Sequence, residues 1–418
     1  MTKFNMATMA ANAKVASRVA AQLTTIEKNS LLNAIADAIE ANSADIIIEN
    51  SKDIEAGRAK GLAEAMLDRL LLTEQGVKDI SSAIREIVAL TDPVGDIANL
   101  ALRPNGMQVG KMRIPLGVIA MIYEARPNVT AEAAALCIKS GNGVILRGGS
   151  EAIHSNLALA NCLHNVLTDH GVDKNIVSVI PDTSRSVIEE LLKQSETIDL
   201  VIPRGGEGLI RYVTENSRIP VIQHFKGVCH LFIDKYADLT KAVNILVNGK
   251  TQRPSACNSL ETVLVHNDIA EQFLPLAAKA LADAANVKVH ACENSLNYFD
   301  GAEQATSDDY HAEYLAQEIA VKIVAGYADA VAHINEFTSD HTEVIVTQDT
   351  SRSQQFIRQI NSSVVMVNAS SRFSDGNQLG LGSEIGISTS KLHAYGPMGL
   401  ESLTTEKFVV YGDGQVRD

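Results

Sequence analysis

Residues 113–152 read RIPLGVIAMIYEARPNVTAEAAALCIKSGNGVILRGGSEA. The run VIAMIY is apolar throughout rather than alternating, as expected of a strand buried on both faces. A helical pattern follows from Thr130 to Ser140 and stops at Gly141, where a glycine can take the left-handed conformation that ends a helix. VILR is a second strand, and Ser150 to His170 is a second helix stopped at Gly171. VSVI, a helix over Arg185–Lys193, the strand DLVI, a helix after Gly208 and a further strand, PVIQHF, continue the alternation. Strand–helix alternation with buried-strand composition predicts a parallel α/β sheet with right-handed crossovers.

Outward from this core the pattern changes in both directions. Residues 1–90 read as helices. Leu31, Leu32, Ile35, Ala38 and Ile39 form one apolar stripe, and Val77, Ile80, Ile84 and Ile87 form another. Pro104-Asn105-Gly106 lies between two alternating runs within 95–115, which predicts a β-hairpin. Downstream, CHLFID, ETVLVH, VKVHA, AVKIV, EVIVT and VVMVNA alternate with helices from Leu239, Ile269, Tyr327 and Ser351, a second α/β block. Residues 292–312 read as a surface loop, and KFVVYG near the end as a strand.

The chain has 418 residues, 46% hydrophobic and 21% charged, enough for two or three domains with full cores. Its net charge of −14 argues against nucleic acid as a partner. The alanine-rich start lacks the apolar core of a signal peptide, and no stretch reaches the ~18 apolar residues of a membrane span. A cytoplasmic protein is expected. The five cysteines form no C-x-x-C pair, which fits a reducing compartment. There is no H-E-x-x-H and no paired D-x-D with a third ligand, so no metal is expected.

Neither G-x-x-x-x-G-K-[ST] nor G-x-G-x-x-G is present. Instead Arg147-Gly148-Gly149-Ser150 follows one strand and Arg204-Gly205-Gly206-Glu207-Gly208 another. Each sets glycine and a cation at the carboxyl end of a strand, where open α/β sheets bind ligands. Either turn alone could be an ordinary tight connection; two in one sheet favour a nucleotide. Among the thiols, Cys137 and Cys162 sit in apolar runs and read as core. Cys229 and His230 are adjacent on a strand and point to opposite faces, which weakens a dyad. Cys292 lies at a loop edge without a partner. Cys257, in the polar loop TQRPSACNS, is the best nucleophile, with Arg253 near enough in sequence to lower its pKa.

These segments together resemble the aldehyde dehydrogenase superfamily. The Gly-Val strand leads to a Pro-Asn turn, TQRPSACNS resembles the nucleophile loop, and SEIG (383–386) resembles the Glu-Glu-Ile-Phe-Gly segment. IYEARPNVT, ILRGGSEA, PRGGEGL, TQRPSACN and KLHAYGPMGLESLTTEKFVVYGDGQVR are most similar to the branch that reduces γ-glutamyl phosphate. The resemblance implies a Rossmann-type cofactor domain over 1–227, with the 95–115 hairpin as an oligomerisation flap. A catalytic domain over 228–371 follows. Residues 372–418 return to the cofactor domain and end in an oligomerisation strand.

It also implies roles. Cys257 is the catalytic thiol and Asn128 the oxyanion-hole amide. Arg147, Gly148, Gly149 and Ser150 form the adenosine-ribose turn, Gly205 and Gly206 the second cofactor turn, and Glu384 holds the nicotinamide ribose. His224 or a neighbour stands where hydrolytic members carry a glutamate base, which suits a thioester that receives hydride rather than water. No ribose-reading Glu stands in the Arg147 turn, and Arg147 suits a 2′-phosphate, hence NADPH. Arg126, Lys226 and Arg253 are candidates for holding the substrate's charged groups. The implied activity is the NADPH-dependent reduction of L-glutamate 5-phosphate to the 5-semialdehyde and phosphate, a step of proline biosynthesis. Implied partners are that small substrate, the upstream glutamate 5-kinase and further copies of the chain. The alternatives are a hydrolytic aldehyde dehydrogenase, a reductase of another acyl phosphate such as an acetylated glutamate, and a silent structural relative.

Overall fold

In the computed structural model, which describes residues 4–417, the chain divides into two compact units. The first runs to Gln223 and regains the chain at Leu381–Gly386 and from Met398 onward; the second is His224–Gly380 with Ile387–Pro397. The first three residues of the alanine-rich start, and Asp418 at the end of the predicted 372–418 segment, lie outside the described residues.

The first unit opens with helices α1 (Met6–Ala20), α2 (Thr25–Ala41), α3 (Ser43–Ala59), α4 (Glu64–Leu70) and α5 (Glu74–Ala89). A capping box formed by Thr24 and Glu27 starts α2. On α2 the buried stripe is Leu31, Leu32, Ile35, Ala36 and Ile39; Ala38 sits at its edge, half-buried, and Ala36 takes the buried position. The α5 stripe of Val77, Ile80, Ile84 and Ile87 is buried as its spacing predicts. Strands β1 (Ile97–Leu102) and β2 (Gln108–Pro115) form the antiparallel hairpin, turned at Gly106 with φ +85°. The last strand, Thr404–Tyr411, pairs antiparallel along all of β2, from Thr404 opposite Pro115 to Tyr411 opposite Gln108.

The parallel core then follows as β3 (Val118–Tyr123), α6 (Asn128–Lys139), β4 (Gly143–Gly148), α7 (Ile153–Asp169), β5 (Val177–Val179), α8 (Arg185–Leu191), β6 (Leu200–Arg204) and α9 (Glu207–Asn216). The strand order is β5-β4-β3-β6, all parallel. Gly141 and Gly171, at φ +73° and +69°, close α6 and α7. One face of the sheet, with Val118, Ala120, Ile122, Ile145 and Val201, packs on α1 and α8 through Met6, Ala10, Ala13, Val187 and Leu191. PVIQHF is not a strand. Pro220 has no N–H to donate, Val221 makes a single bridge to Val201, and the chain then leaves the sheet.

The second unit carries β7 (Cys229–Ile233), α10 (Leu239–Thr251), β8 (Leu260–His266), α11 (Asn267–Ala285), β9 (Lys288–Ala291), β10 (Glu303–Gln304), α12 (Ser307–Tyr310), β11 (Glu318–Val324), α13 (Tyr327–Phe337), β12 (Thr342–Val346), α14 (Thr350–Gln359) and β13 (Val364–Val367). Its seven strands are parallel in the order β10-β9-β11-β8-β7-β12-β13. Alternate residues face alternate layers. Leu231, Ile233, Val263 and Val265 pack with α10 and α11, while Phe232, Leu264 and Ile345 pack with α13 and α14. Residues 292–312 are not a plain surface loop. They contribute the short edge strand β10 and helix α12, and they bury Ser295, Phe299 and Tyr310.

Candidate active site

Cys257 lies on the loop between α10 and β8, and the loop is stapled at its base. The fully buried Lys250, one residue before the end of α10, donates to the Leu260 carbonyl at 2.9 Å and the Glu261 carboxylate at 2.7 Å, where β8 begins. Ser259 Oγ donates to the Gly249 carbonyl at 3.3 Å. Burial raises the Glu261 carboxyl to about 7 despite Lys250, and burial lowers the lysine. Removing either partner would strand a buried charge, a loss of about 3–5 kcal/mol. From the far side Asn258 Nδ2 donates to the Ser374 carbonyl at 2.9 Å, and Ser371 Oγ donates to the Asn258 carbonyl at 2.7 Å. Arg372 Nε donates to Gln252 Oε1 at 2.7 Å, tying the next residue to the start of the loop.

Gly227 passes beneath Cys257. A Cβ there would stand 2.8 Å from the Cys257 carbonyl carbon, 2.9 Å from its Cα and closer still to its oxygen. Only hydrogen fits, so the backbone of HFKGV runs directly under the thiol-bearing residue. That approach brings His224 to Cys257. The Cys257 thiol and a nitrogen of each of His224 and His341 lie within 4.8 Å of one another, with Cys257 and His224 half-exposed and His341 buried. The imidazoles are 5.1 Å apart between ring centres. His341 Nδ1 lies 2.7 Å from Thr342 Oγ1, whose own proton goes to Ser374 Oγ at 2.8 Å. The threonine oxygen therefore accepts from Nδ1–H, and His341 keeps its lone pair on Nε2. That buried Nε2 has no hydrogen-bond partner among the described residues. Burial, with His224 adding to it, lowers the His341 pKa to about 3, so the ring is neutral.

Cys229 borders the same cluster, its Sγ 3.7 Å from His341 Nδ1. Cys229 Sγ lies 3.3 Å from the Cys257 carbonyl and is buried, which raises its pKa well above the ordinary thiol value. His230 turns the other way, its Nδ1 2.9 Å from the buried Glu343 carboxylate. Cys292 does have partners: Ser295 Oγ at 3.2 Å and the Ile323 N–H at 3.4 Å.

In the first unit Asn128 is the first residue of α6, and its amide donates to Glu132 Oε1 at 3.0 Å. Burial raises the Glu132 carboxyl, opposed by Asn128, Arg204 and Arg126. The turn before α6 holds Ala125 at φ +36°, and its N–H donates to Glu151 Oε1 at 2.6 Å. Glu151 is thus the carboxylate that follows Arg147-Gly148-Gly149-Ser150, and it is turned to backbone. The two glycines leave space that neighbouring side chains fill. A Cβ at Gly149 would collide with the Glu151 carboxylate, and one at Gly148 with the Asn156 amide. Ser150 is exposed. Arg147 Nη2 donates to the Thr183 carbonyl at 2.7 Å, and its Nε is buried with no hydrogen-bond partner. The amides at the start of α7 are already occupied, because Asp53 of α3 accepts from Ser155 N at 2.8 Å and His154 N at 3.2 Å.

At the second turn Glu124 accepts from the Gly206 N–H at 3.2 Å, and a Cβ at Gly205 would meet its carboxylate at 2.7 Å. Arg204 Nη1 lies 3.5 Å from Glu384 Oε1, joining the second turn to the SEIG segment. Sequence reading missed His341, Glu151, Glu124 and Arg372. Only Glu124 and Glu151 stood inside motifs already singled out. No signal along the chain tied His341 to Cys257.

Residues 1–295 match the model of the aldehyde dehydrogenase family. A γ-glutamyl phosphate reductase of Colwellia psychrerythraea is 81% identical over 417 residues, 100% of both chains. One from Idiomarina loihiensis is 60% identical over 403 residues, 96% of each. The crystal structure of a γ-glutamyl phosphate reductase from Thermotoga maritima superposes with a TM-score of 0.97 at 40% identity, covering 99% of this chain and 100% of that one. No helix among the described residues is long and apolar enough to cross a membrane.

Proposed function

Since the chain belongs to the aldehyde dehydrogenase family, in the branch of the γ-glutamyl phosphate reductases, we propose that it reduces L-glutamate 5-phosphate to L-glutamate 5-semialdehyde with release of phosphate. The observation that carries this reading is the Cys257 thiol, half-exposed on a loop stapled at both ends and flanked by the imidazoles of His224 and His341. Imidazole beside the thiol suits thiolate formation.

The thiolate of Cys257 attacks the acyl carbonyl carbon, the bond to the phosphate oxygen breaks, and phosphate leaves as the anion. His224, the half-exposed imidazole of the pair, takes the thiol proton. The family resemblance assigns the oxyanion to the Asn128 amide, which in the first unit donates to Glu132 Oε1; such a donor contributes about 3 kcal/mol in the transition state. Arg372 and Arg253 balance the negative charge near the thiol: burial lowers the Arg372 pKa most, Arg253 lowers it further, and Cys257 opposes both. The family works with nicotinamide cofactors, and NADPH, when bound, supplies the hydride that turns the thioester into a thiohemiacetal. Collapse of that adduct returns the electron pair to sulfur and frees the aldehyde.

The residues of the first unit fit that cofactor. Arg147 offers a guanidinium whose Nε has no protein partner, at the carboxyl end of β4 beside the exposed Ser150. Gly148 and Gly149 shape that turn, Gly205 and Gly206 shape the turn after β6, and Glu384 beside Arg204 would hold a ribose hydroxyl. Exposed Leu102, Phe408 and Val410 on the three-stranded sheet suit contact with a second copy.

The test runs the reaction backwards, with glutamate semialdehyde, NADP and inorganic phosphate. NADPH formation that requires phosphate and vanishes in Cys257→Ser is expected. Oxidation at full rate without phosphate would overturn the reading in favour of a hydrolytic dehydrogenase.

A further inference from the structure

We propose that Cys257, His224 and His341 form a three-ligand site for a soft divalent transition ion, with zinc as the natural probe, whose occupation reversibly blocks the thiol. The donor set is one sulfur and two imidazole nitrogens, the combination that selects zinc-like ions over magnesium or calcium. A tetrahedral zinc ion holds such sulfur and nitrogen atoms roughly 3.3–3.6 Å apart. The three donor atoms already lie within 4.8 Å of one another. Closing on an ion therefore asks for side-chain movement of no more than about 1.5 Å.

Two further features prepare the site. Thr342 accepts from His341 Nδ1–H and passes its own proton to Ser374, an outer hydrogen bond of the kind that orients metal-binding imidazoles. His341 Nε2 is buried and has no partner among the described residues, so the ring keeps an unused acceptor. An unsatisfied buried acceptor costs about 1–3 kcal/mol, and an ion would satisfy it. Three protein ligands leave the fourth position open to water or an anion, as in catalytic rather than structural zinc sites. Binding displaces one proton from the Cys257 thiol and involves no oxidation.

The ion and the acyl substrate would compete for the same sulfur, so zinc is an inhibitor that a chelator reverses. The site itself does not depend on which acyl phosphate is reduced, and its test needs no substrate. Zinc is titrated into the full-length protein against a chromogenic chelator, and cobalt is substituted to detect the sulfur-to-cobalt charge-transfer band. One ion per chain, the cobalt–thiolate band and protection of Cys257 from iodoacetamide are expected. His224→Gln and His341→Gln should each weaken zinc binding by at least about tenfold, and Cys257→Ser should abolish the band. Unchanged affinity in His224→Gln would overturn the proposal, because zinc would then be held by the thiol without this imidazole. His224 is half-exposed, so that variant carries the test even if the buried His341→Gln fails to fold. An absent charge-transfer band with wild-type protein would overturn it equally.

Discussion

Gly227→Ala should cripple the thiol without touching it. The added methyl would stand 2.8 Å from the Cys257 carbonyl carbon and 2.9 Å from its Cα, where carbon atoms rest about 3.5–4.0 Å apart. Both obstacles are backbone, so no side chain can swing aside, and the Cys257 loop must retreat by about 1 Å. Lys250, Ser259, Asn258 and Ser371 hold that loop from both sides, so the retreat comes at Cys257 itself. A misplacement of about 1 Å in reacting atoms is associated with a loss of about 100-fold, equivalent to ~2.7 kcal/mol. Overpacking should lower stability separately, by roughly 1–3 kcal/mol. The assay is phosphate-dependent oxidation of glutamate semialdehyde, with iodoacetamide alkylation of Cys257 and thermal melting as companions. A folded variant that keeps more than about half the wild-type kcat/KM would refute the claim that Gly227 sets the position of the thiol.

Arg147→Ala should weaken NADPH by about 10- to 150-fold and leave NADH nearly unchanged, the loss of one charge-assisted bond to a 2′-phosphate. Equal weakening of both cofactors in a binding titration would show that the arginine acts only as the buttress of the Thr183 carbonyl. Asn128→Ala should lower kcat about 100-fold with little change in KM, and a change confined to KM would remove it from the oxyanion role. His333 gives a pH signature. Burial, with His230, Lys322 and His311 nearby, lowers its pKa to about 2. The folded ring stays neutral while the unfolded one protonates below about 6.5. Its stabilising contribution is present above that pH and is lost as pH falls, by up to about 1.4 kcal/mol per pH unit. Urea midpoints should therefore fall less between pH 7 and pH 5 in His333→Phe than in the wild type, and parallel falls would refute this.

The fold was legible because buried parallel strands announce themselves. VIAMIY, VILR and ETVLVH are short runs rich in Val, Ile and Leu, and each became a strand buried along most or all of its length. PVIQHF looked the same by composition, yet Pro220 and the departure of the chain toward His224 reduce it to one bridge. The polar stretch 292–312 hid an edge strand because two residues suffice for one and leave no periodicity to read. At the site, Cys257 was legible from its polar loop. His341 was not, since it stands 84 positions downstream in a short stretch between α13 and β12, and only the register of β12 beside β7 carries it to the thiol's neighbourhood. The Gly148-Gly149 turn looked like room for a ligand. The structure shows those glycines making room for Asn156 and Glu151, a distinction that lies in side-chain packing from elsewhere in the fold.

The pairing of Thr404–Tyr411 along β2 also bears on how the chain is made. The hairpin of β1 and β2 leaves the ribosome with one long edge bare, and its third strand emerges about 290 residues later, a wait of roughly 15–60 s at 5–20 residues per second. Through that interval the bare edge is a docking template for any extended segment, including another nascent copy on the same message. The arrival of the last strand is thus a completion signal: a chain cut short between Val367 and Thr404 retains the strands of both parallel sheets but keeps an open edge, which marks it for capture by chaperones and proteases.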